Sequence, residues 1–238
     1  MTQSRLVTTA FAIALVVSSG AQASPSADGR SEQQSVAPEP QPATLAPNSE
    51  SDSQRKKRNE WRYTFPVSGP RVFYPRDHLN YPAADLTGCR QLVRAPISGV
   101  IADLRTTDNW DRNRDDPGTR GGLTITLHGD DFVRYYFSHL GRIDVKKGQR
   151  VDSGDKLGTV GQSGNARITL CHLHFGISRI CPMSEQNLRR GEIWPQPYLD
   201  DWKLGINTSP SDEVRRIKLR DKAGCLVAAA AQRRGGDG

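Results

Sequence analysis

The octapeptide Cys171-His172-Leu173-His174-Phe175-Gly176-Ile177-Ser178 alternates apolar residues with polar or small ones without a slip. Successive side chains of a strand point to opposite faces, whereas a helix would scatter Leu173, Phe175 and Ile177 round its circumference. The stretch therefore reads as a strand with those three residues on a core and His172, His174, Gly176 and Ser178 on the other face. Imidazole is the commonest neutral metal ligand and also titrates near neutral pH, so such a pair can supply one ligand and one proton carrier. Two of the five histidines in 238 residues share this one face, which weighs against a chance pairing on a half-exposed strand.

A strand of this kind needs partners. From Trp61 onward the texture is one of short strand-like runs broken by Gly, Pro and Asp. Residues 93–104, 123–128 and 132–140 read as strands, with Gly129-Asp130-Asp131 turning the second into the third as a hairpin. In the next segment Val145, Gly148, Val151, Gly154 and Leu157 fall three apart, a pattern of tight turns and brief strands. Gly161-Gln162-Ser163-Gly164-Asn165 makes a further turn that delivers the chain to the His-Leu-His strand. The expected class is mainly β, an antiparallel sheet or sandwich-like arrangement. Residues 105–120, crowded with Asp, Arg and Asn, read as a long, largely solvent-exposed surface loop; whether it walls a groove stays open.

The two ends differ from this middle. Arg5, the apolar run 6–17 and Ala21-Gln22-Ala23 have the layout of a cleavable secretory signal, residues 1–23. The apolar run is too short to span a bilayer. No cysteine precedes Cys89, so no stable membrane anchor is expected, and the mature chain should be exported and soluble after cleavage near Ala23. Residues 24–60, rich in Ser, Pro and Gln, read as a disordered linker ending in Arg55-Lys56-Lys57-Arg58. The formal net charge of +7 favours anionic partners in general. The basic run suits an anionic wall polymer or nothing but solvent, and nucleic acid is not expected. A domain over 61–181 is followed by a C-terminal extension, 182–238. In it, residues 194–199 and Trp202 look extended, laying aromatics over the domain. Ser209-Pro210-Ser211-Asp212 then opens one short helix running to about Lys222. Nothing in the sequence asks for an oligomer, and a monomer is favoured.

An exported chain meets an oxidising compartment, so Cys89, Cys171, Cys181 and Cys225 are expected as two disulfides. Three pairings are open. The preferred one is Cys181 with Cys225, tying the tail to the body, and Cys89 with Cys171. No C-x-x-C pair occurs, which argues against a cysteine zinc site.

A hydrolytic zinc site needs three protein ligands of His and carboxylate type and one position open to water. His78, Asp85 and His174 can supply that set, leaving His172 and His139 for proton traffic. General acid-base groups of this kind contribute on the order of a hundred- to ten-thousand-fold in rate.

The run from Ala95-Pro96-Ile97-Ser98-Gly99-Val100-Ile101 resembles the lysostaphin/LytM-type zinc peptidases that cut peptidoglycan peptides. The likeness continues through His128-Gly129, Phe137-Ser138-His139-Leu140, the Val-x-x-Gly run, Gly161-Gln162-Ser163-Gly164 and His172-Leu173-His174-Phe175. The resemblance covers about 66–180. It implies an antiparallel sheet flooring a groove, one Zn2+ on His174 and Asp85, and His172 and His139 as catalytic histidines. It leaves His128 without a role. The family usually places its first ligand histidine four residues before the aspartate, where this chain has Tyr81. A phenol of pKa about 10 is a poor zinc ligand at neutral pH, so His78 must take that place through an extra bend around Pro82. The implied activity is a secreted zinc endopeptidase acting on cell-wall peptides; the alternative is a catalytically inactive wall-binding or amidase-activating module of the same fold. The Val-x-x-Gly run also suggests a biotinyl- or lipoyl-carrier barrel, but such a carrier needs a modifiable hairpin lysine, typically flanked by Met, and this chain has only Met1 and Met183.

Overall fold

The computed structural model describes residues 61–79, 81–181 and 191–225, all within one unit, 48–238. The expected signal segment, the linker with its basic run, and the end of the chain beyond Cys225 lie outside the described residues.

Among the described residues ten strands form two sheets, paired antiparallel throughout. In chain order they are β1 (Val67–Ser68), β2 (Ala84–Thr87), β3 (Leu92–Arg94), β4 (Gly99–Arg105), β5 (Thr124–Gly129), β6 (Val133–Ser138), β7 (Leu140–Ile143), β8 (Arg150–Val151), β9 (Lys156–Val160) and β10 (His172–Arg179). A six-stranded sheet has the order β2-β10-β6-β5-β4-β8 and a four-stranded sheet β1-β3-β9-β7. Both contribute to one core. Leu173, Phe175 and Ile177 of β10 lie in it with Leu86, Ile101, Ile125, Leu127 and Phe137 of the larger sheet and Val93, Leu140, Leu157 and Val160 of the smaller. Each fully buried Leu, Ile or Phe contributes roughly 1.5 to 3 kcal/mol relative to exposure, so β10 is held hard on its apolar side. Its polar side is thereby fixed.

Two expected strands are each divided. Residues 93–104 form β3 and β4 in different sheets, because Pro96 has no N–H to continue a ladder and the chain crosses over at 95–98. There the Pro96 carbonyl accepts instead from Thr64 N–H at 2.8 Å. Residues 132–140 form β6 and β7, separated by His139 at φ +61°. β6 pairs with β10, whereas β7 pairs with β9. The Val-x-x-Gly run makes the short strands β8 and β9, with Gly148 and Gly154 in the left-handed region at its turns (φ +80° and +89°) that Gly enters without steric cost.

The described part of the extension, 191–225, holds two helices rather than one, α1 (Gln196–Lys203) and α2 (Ser211–Arg220). The segment expected to be extended is helical because Pro197 sits in the first turn, where its missing N–H costs nothing. From there Gln196, Leu199 and Trp202 recur on one buried face. Trp202 stacks on Tyr63 at 5.2 Å between ring centroids and meets Tyr135 and Phe175. Disulfides join Cys89 to Cys171, beside the facing ends of β2 and β10, and Cys181 to Cys225. No helix among the described residues is long and apolar enough to cross a membrane.

The loop 105–120 is not simply solvent-exposed. Trp110 and Arg120 are buried, Asp115 accepts from Trp110 Nε1 at 2.9 Å and from Arg120 Nη2 at 2.7 Å, and Arg167 lies over the Trp110 ring. The loop is thus folded onto the 3-10 turn Gly164–Ile168.

Candidate metal centre

Register builds the site. Across β2 and β10, His174 pairs with Asp85 and His172 with Thr87; across β10 and β6, His174 pairs with Ser138. Paired residues share a face, so Asp85, His174 and Ser138 form a row on the side of the sheet away from the core. His174 Nδ1–H donates to Asp85 Oδ1 at 2.9 Å. His78 reaches the same carboxylate from the turn before β2, where Tyr81 N–H donates to the His78 carbonyl. Its Nε2 is 3.7 Å from Asp85 Oδ2. One donor atom from each of His78, Asp85 and His174 lies within 4.8 Å of the others.

Protonation states suit a cation. Burial, and after it the neighbouring His174, pushes the His78 pKa below the ordinary imidazole value, favouring the neutral form that coordinates. Burial alone would raise Asp85, but the His174 hydrogen bond and the fields of His174, His172 and His78 hold it below the usual carboxylate range. The far nitrogens, His78 Nδ1 and His174 Nε2, are buried without a hydrogen-bond partner. Ser138 Oγ, in the same row of the sheet, is also buried without one. Two imidazoles and a carboxylate facing a common point match the zinc donor set.

The two other histidines flank this cluster. His172 Nδ1 is 2.6 Å from the Leu170 carbonyl, and His139 Nδ1 is 2.9 Å from the Ser163 carbonyl. A carbonyl oxygen only accepts, so in the neutral form both rings carry hydrogen on Nδ1, and Nε2 is the unprotonated nitrogen. His172 Nε2 lies 3.9 Å from Asp85 Oδ2, and the two ring centroids are 4.8 Å apart. His139 has its main chain in the left-handed region, which for a histidine is uncommon.

The structure therefore brings together all five residues singled out from sequence, His78, Asp85, His139, His172 and His174. His128 stands apart on β5, paired with Val100 and Arg134, and burial followed by the Arg134 charge lowers its pKa. Tyr81, at the position four before Asp85, is buried and sets its ring against His78 (4.5 Å between centroids) and His174 (5.9 Å). It packs on the candidate ligands. What sequence reading missed is the main-chain support: the Leu170 and Ser163 carbonyls carry no residue signature, although the Gly161-Gln162-Ser163-Gly164 turn marked the place.

The fold and site define a class, a β-sheet domain with a His-Asp-His cluster and two adjacent histidines. The sequence model of peptidase family M23 matches residues 84–187, a stretch that includes Asp85, His139, His172 and His174 but not His78. Over that stretch, less than half of the 238 residues, the chain is similar to this peptidase family. The peptidoglycan DD-endopeptidase ShyA of Vibrio cholerae is 40% identical over 55 residues, 23% of this chain and 12% of that protein. The chain thus aligns with only a small part of its curated relative. Among solved structures, the catalytic domain of lysostaphin from Staphylococcus simulans is 25% identical, with 61% of this chain and 96% of that one covered and a TM-score of 0.40. The structure of the putative glycyl-glycine endopeptidase LytM from Ruminococcus gnavus is 20% identical, with 62% of each chain covered and a TM-score of 0.48.

Proposed function

We propose that this protein is a secreted zinc endopeptidase that hydrolyses peptide cross-links or stems of bacterial peptidoglycan. One observation carries the reading: His78, Asp85 and His174 face one another within 4.8 Å, with His139 and His172 beside them. The first three would hold one Zn2+. Bound there, zinc would lower the pKa of a coordinated water towards about 7 and polarise the scissile carbonyl. His139 and His172 accept and return protons at Nε2, each with Nδ1 tied to a main-chain carbonyl. Asp85 stays ionised and His78 neutral, so the donor set holds its form across neutral pH. Export fits the two disulfides, and the basic run 55–58 is assigned to an anionic wall polymer.

The test is metal analysis of the purified chain together with digestion of peptidoglycan, product masses being read afterwards. About one zinc per chain and new amino groups are expected. A chain without zinc affinity would overturn the reading. Zinc without hydrolysis would favour the inactive wall-binding or amidase-activating module, which the aromatic Tyr81 in place of a ligand histidine motivates.

A further inference from the structure

The peptide group between Ser163 and Gly164 is planar and trans, so its carbonyl and its N–H point in opposite directions. The carbonyl accepts from His139 Nδ1 at 2.9 Å, and the Gly164 N–H donates to Asp108 Oδ2 at 2.9 Å. A carboxylate and an imidazole are thereby joined end to end through one peptide. We propose that Asp108 is a positioning residue for His139, acting through the Ser163–Gly164 peptide. The inference rests on the reading of His139 as a proton carrier.

Three features support the coupling. Asp108 is itself held: Trp110 N–H donates to Oδ1 at 3.2 Å, and Arg167 Nε and Nη2 reach Oδ2 at 3.0 and 2.5 Å. The peptide is held at both ends by its hydrogen bonds to His139 and Asp108, and the backbone is packed so closely that a Cβ on Gly164, at φ +66°, would stand 2.0 Å from the Arg120 carbonyl oxygen. The His139 main chain is tied to the same region, its N–H donating to the Gly121 carbonyl at 2.9 Å, while Asn165 N–H donates to that of Arg120 at 2.9 Å. A charged acceptor at the N–H end polarises the peptide and strengthens its carbonyl as an acceptor. Arg167 offsets most of the Asp108 charge. The contribution is therefore directional: it fixes the Nδ1–H tautomer of His139 and the orientation of its ring.

The experiment compares Asp108→Ala, Asp108→Asn and Arg167→Ala in the full chain. Zinc content, kcat and KM are measured on peptidoglycan fragments, and the His139 tautomer is read from its ring nitrogen shifts by NMR at a pH where imidazoles are neutral. In the wild type His139 carries hydrogen on Nδ1. Asp108→Ala is expected to lower kcat about tenfold, to leave KM and zinc content unchanged, and to mix the tautomers. Asp108→Asn, whose amide oxygen still accepts from Gly164, restores tautomer and rate. Arg167→Ala removes one brace of Asp108 and leaves it the Gly164 and Trp110 bonds, so it keeps the tautomer and costs less kcat than Asp108→Ala. A wild-type His139 protonated on Nε2 overturns the proposal even if no variant folds. So does a rise in KM without loss of kcat in Asp108→Ala, or an equal loss of kcat in Arg167→Ala. If the wild type cleaves no peptidoglycan the functional reading fails, while the tautomer measurement still decides the positioning.

Discussion

His174→Ala is expected to lose both bound zinc and all wall-lytic activity, whereas His172→Ala keeps about one zinc per chain and loses roughly a hundred- to ten-thousand-fold in rate. The two histidines are two residues apart on one face of β10, yet their surroundings differ. His174 is opposite Asp85 and gives its Nδ1 to that carboxylate. His172 gives its Nδ1 to a main-chain carbonyl and stands 3.9 Å from the same carboxylate. Removing His174 takes away one of three donors and leaves the Asp85 carboxylate without its shortest partner. Removing His172 leaves the cluster intact. The apolar partners of β10 are untouched in either case, so both variants should fold, which circular dichroism checks. Dialysis against metal-free buffer, metal analysis and release of amino groups from peptidoglycan then separate the two roles. Retention of zinc by His174→Ala, or its loss from His172→Ala, would reverse the assignment.

Much of this site was legible because strand periodicity is a local property. The alternation over 171–178 is enough to place His172 and His174 together and to put Phe175 beneath them, since a one-residue slip would bury the imidazoles. The Gly129-Asp130-Asp131 hairpin and the turns at Gly148 and Gly154 are local in the same way. The convergence of His78 with Asp85 and His174 is not local: donor chemistry proposed the set, and the resemblance matched only Asp85 and His174. Where the reading failed, a non-local cause decided. Residues 93–104 look like one strand, but Pro96 sends the chain to a second sheet. Residues 132–140 look continuous until His139 takes a left-handed conformation to meet the Gly121 carbonyl. The loop 105–120 looks soluble by composition, yet its Asp and Arg residues are largely spent on one another and on Trp110. The peptide link from Asp108 to His139 leaves no trace in residue types, because its central element is main chain.

An effect of pH on folding between about pH 4 and 6 is expected from a buried carboxyl outside the His-Asp-His cluster. Asp131, 1% exposed, accepts from Tyr135 Oη at 2.5 Å and Tyr63 Oη at 2.9 Å on Oδ2, and from Val133 N–H at 3.3 Å on Oδ1. Tyr63 Oη also lies 2.8 Å from Ser209 Oγ, so one carboxyl links the segment before β1, the β5–β6 hairpin and the extension. Burial raises the Asp131 pKa to about 6, the hydrogen bonds from Tyr135, Tyr63 and Val133 offsetting part of the cost. Below the unfolded value of about 3.9 both states hold the proton and no penalty exists. Between about pH 4 and 6 the folded chain retains a proton that the unfolded chain has released, so stability falls as pH rises, by about 3 kcal/mol in all. Above that window both states are ionised and the penalty is constant. Asp85, lowered rather than raised, works in the opposite sense at the acid end, so the informative quantity is the difference from Asp131→Asn. The amide keeps an acceptor for Val133, and the two phenol hydroxyls can turn to accept from its NH2. Unfolding free energies of wild type and Asp131→Asn at pH 4 to 7 should therefore diverge in favour of the variant through pH 5 and 6 and run parallel above. Parallel curves across the whole range would place the Asp131 proton elsewhere.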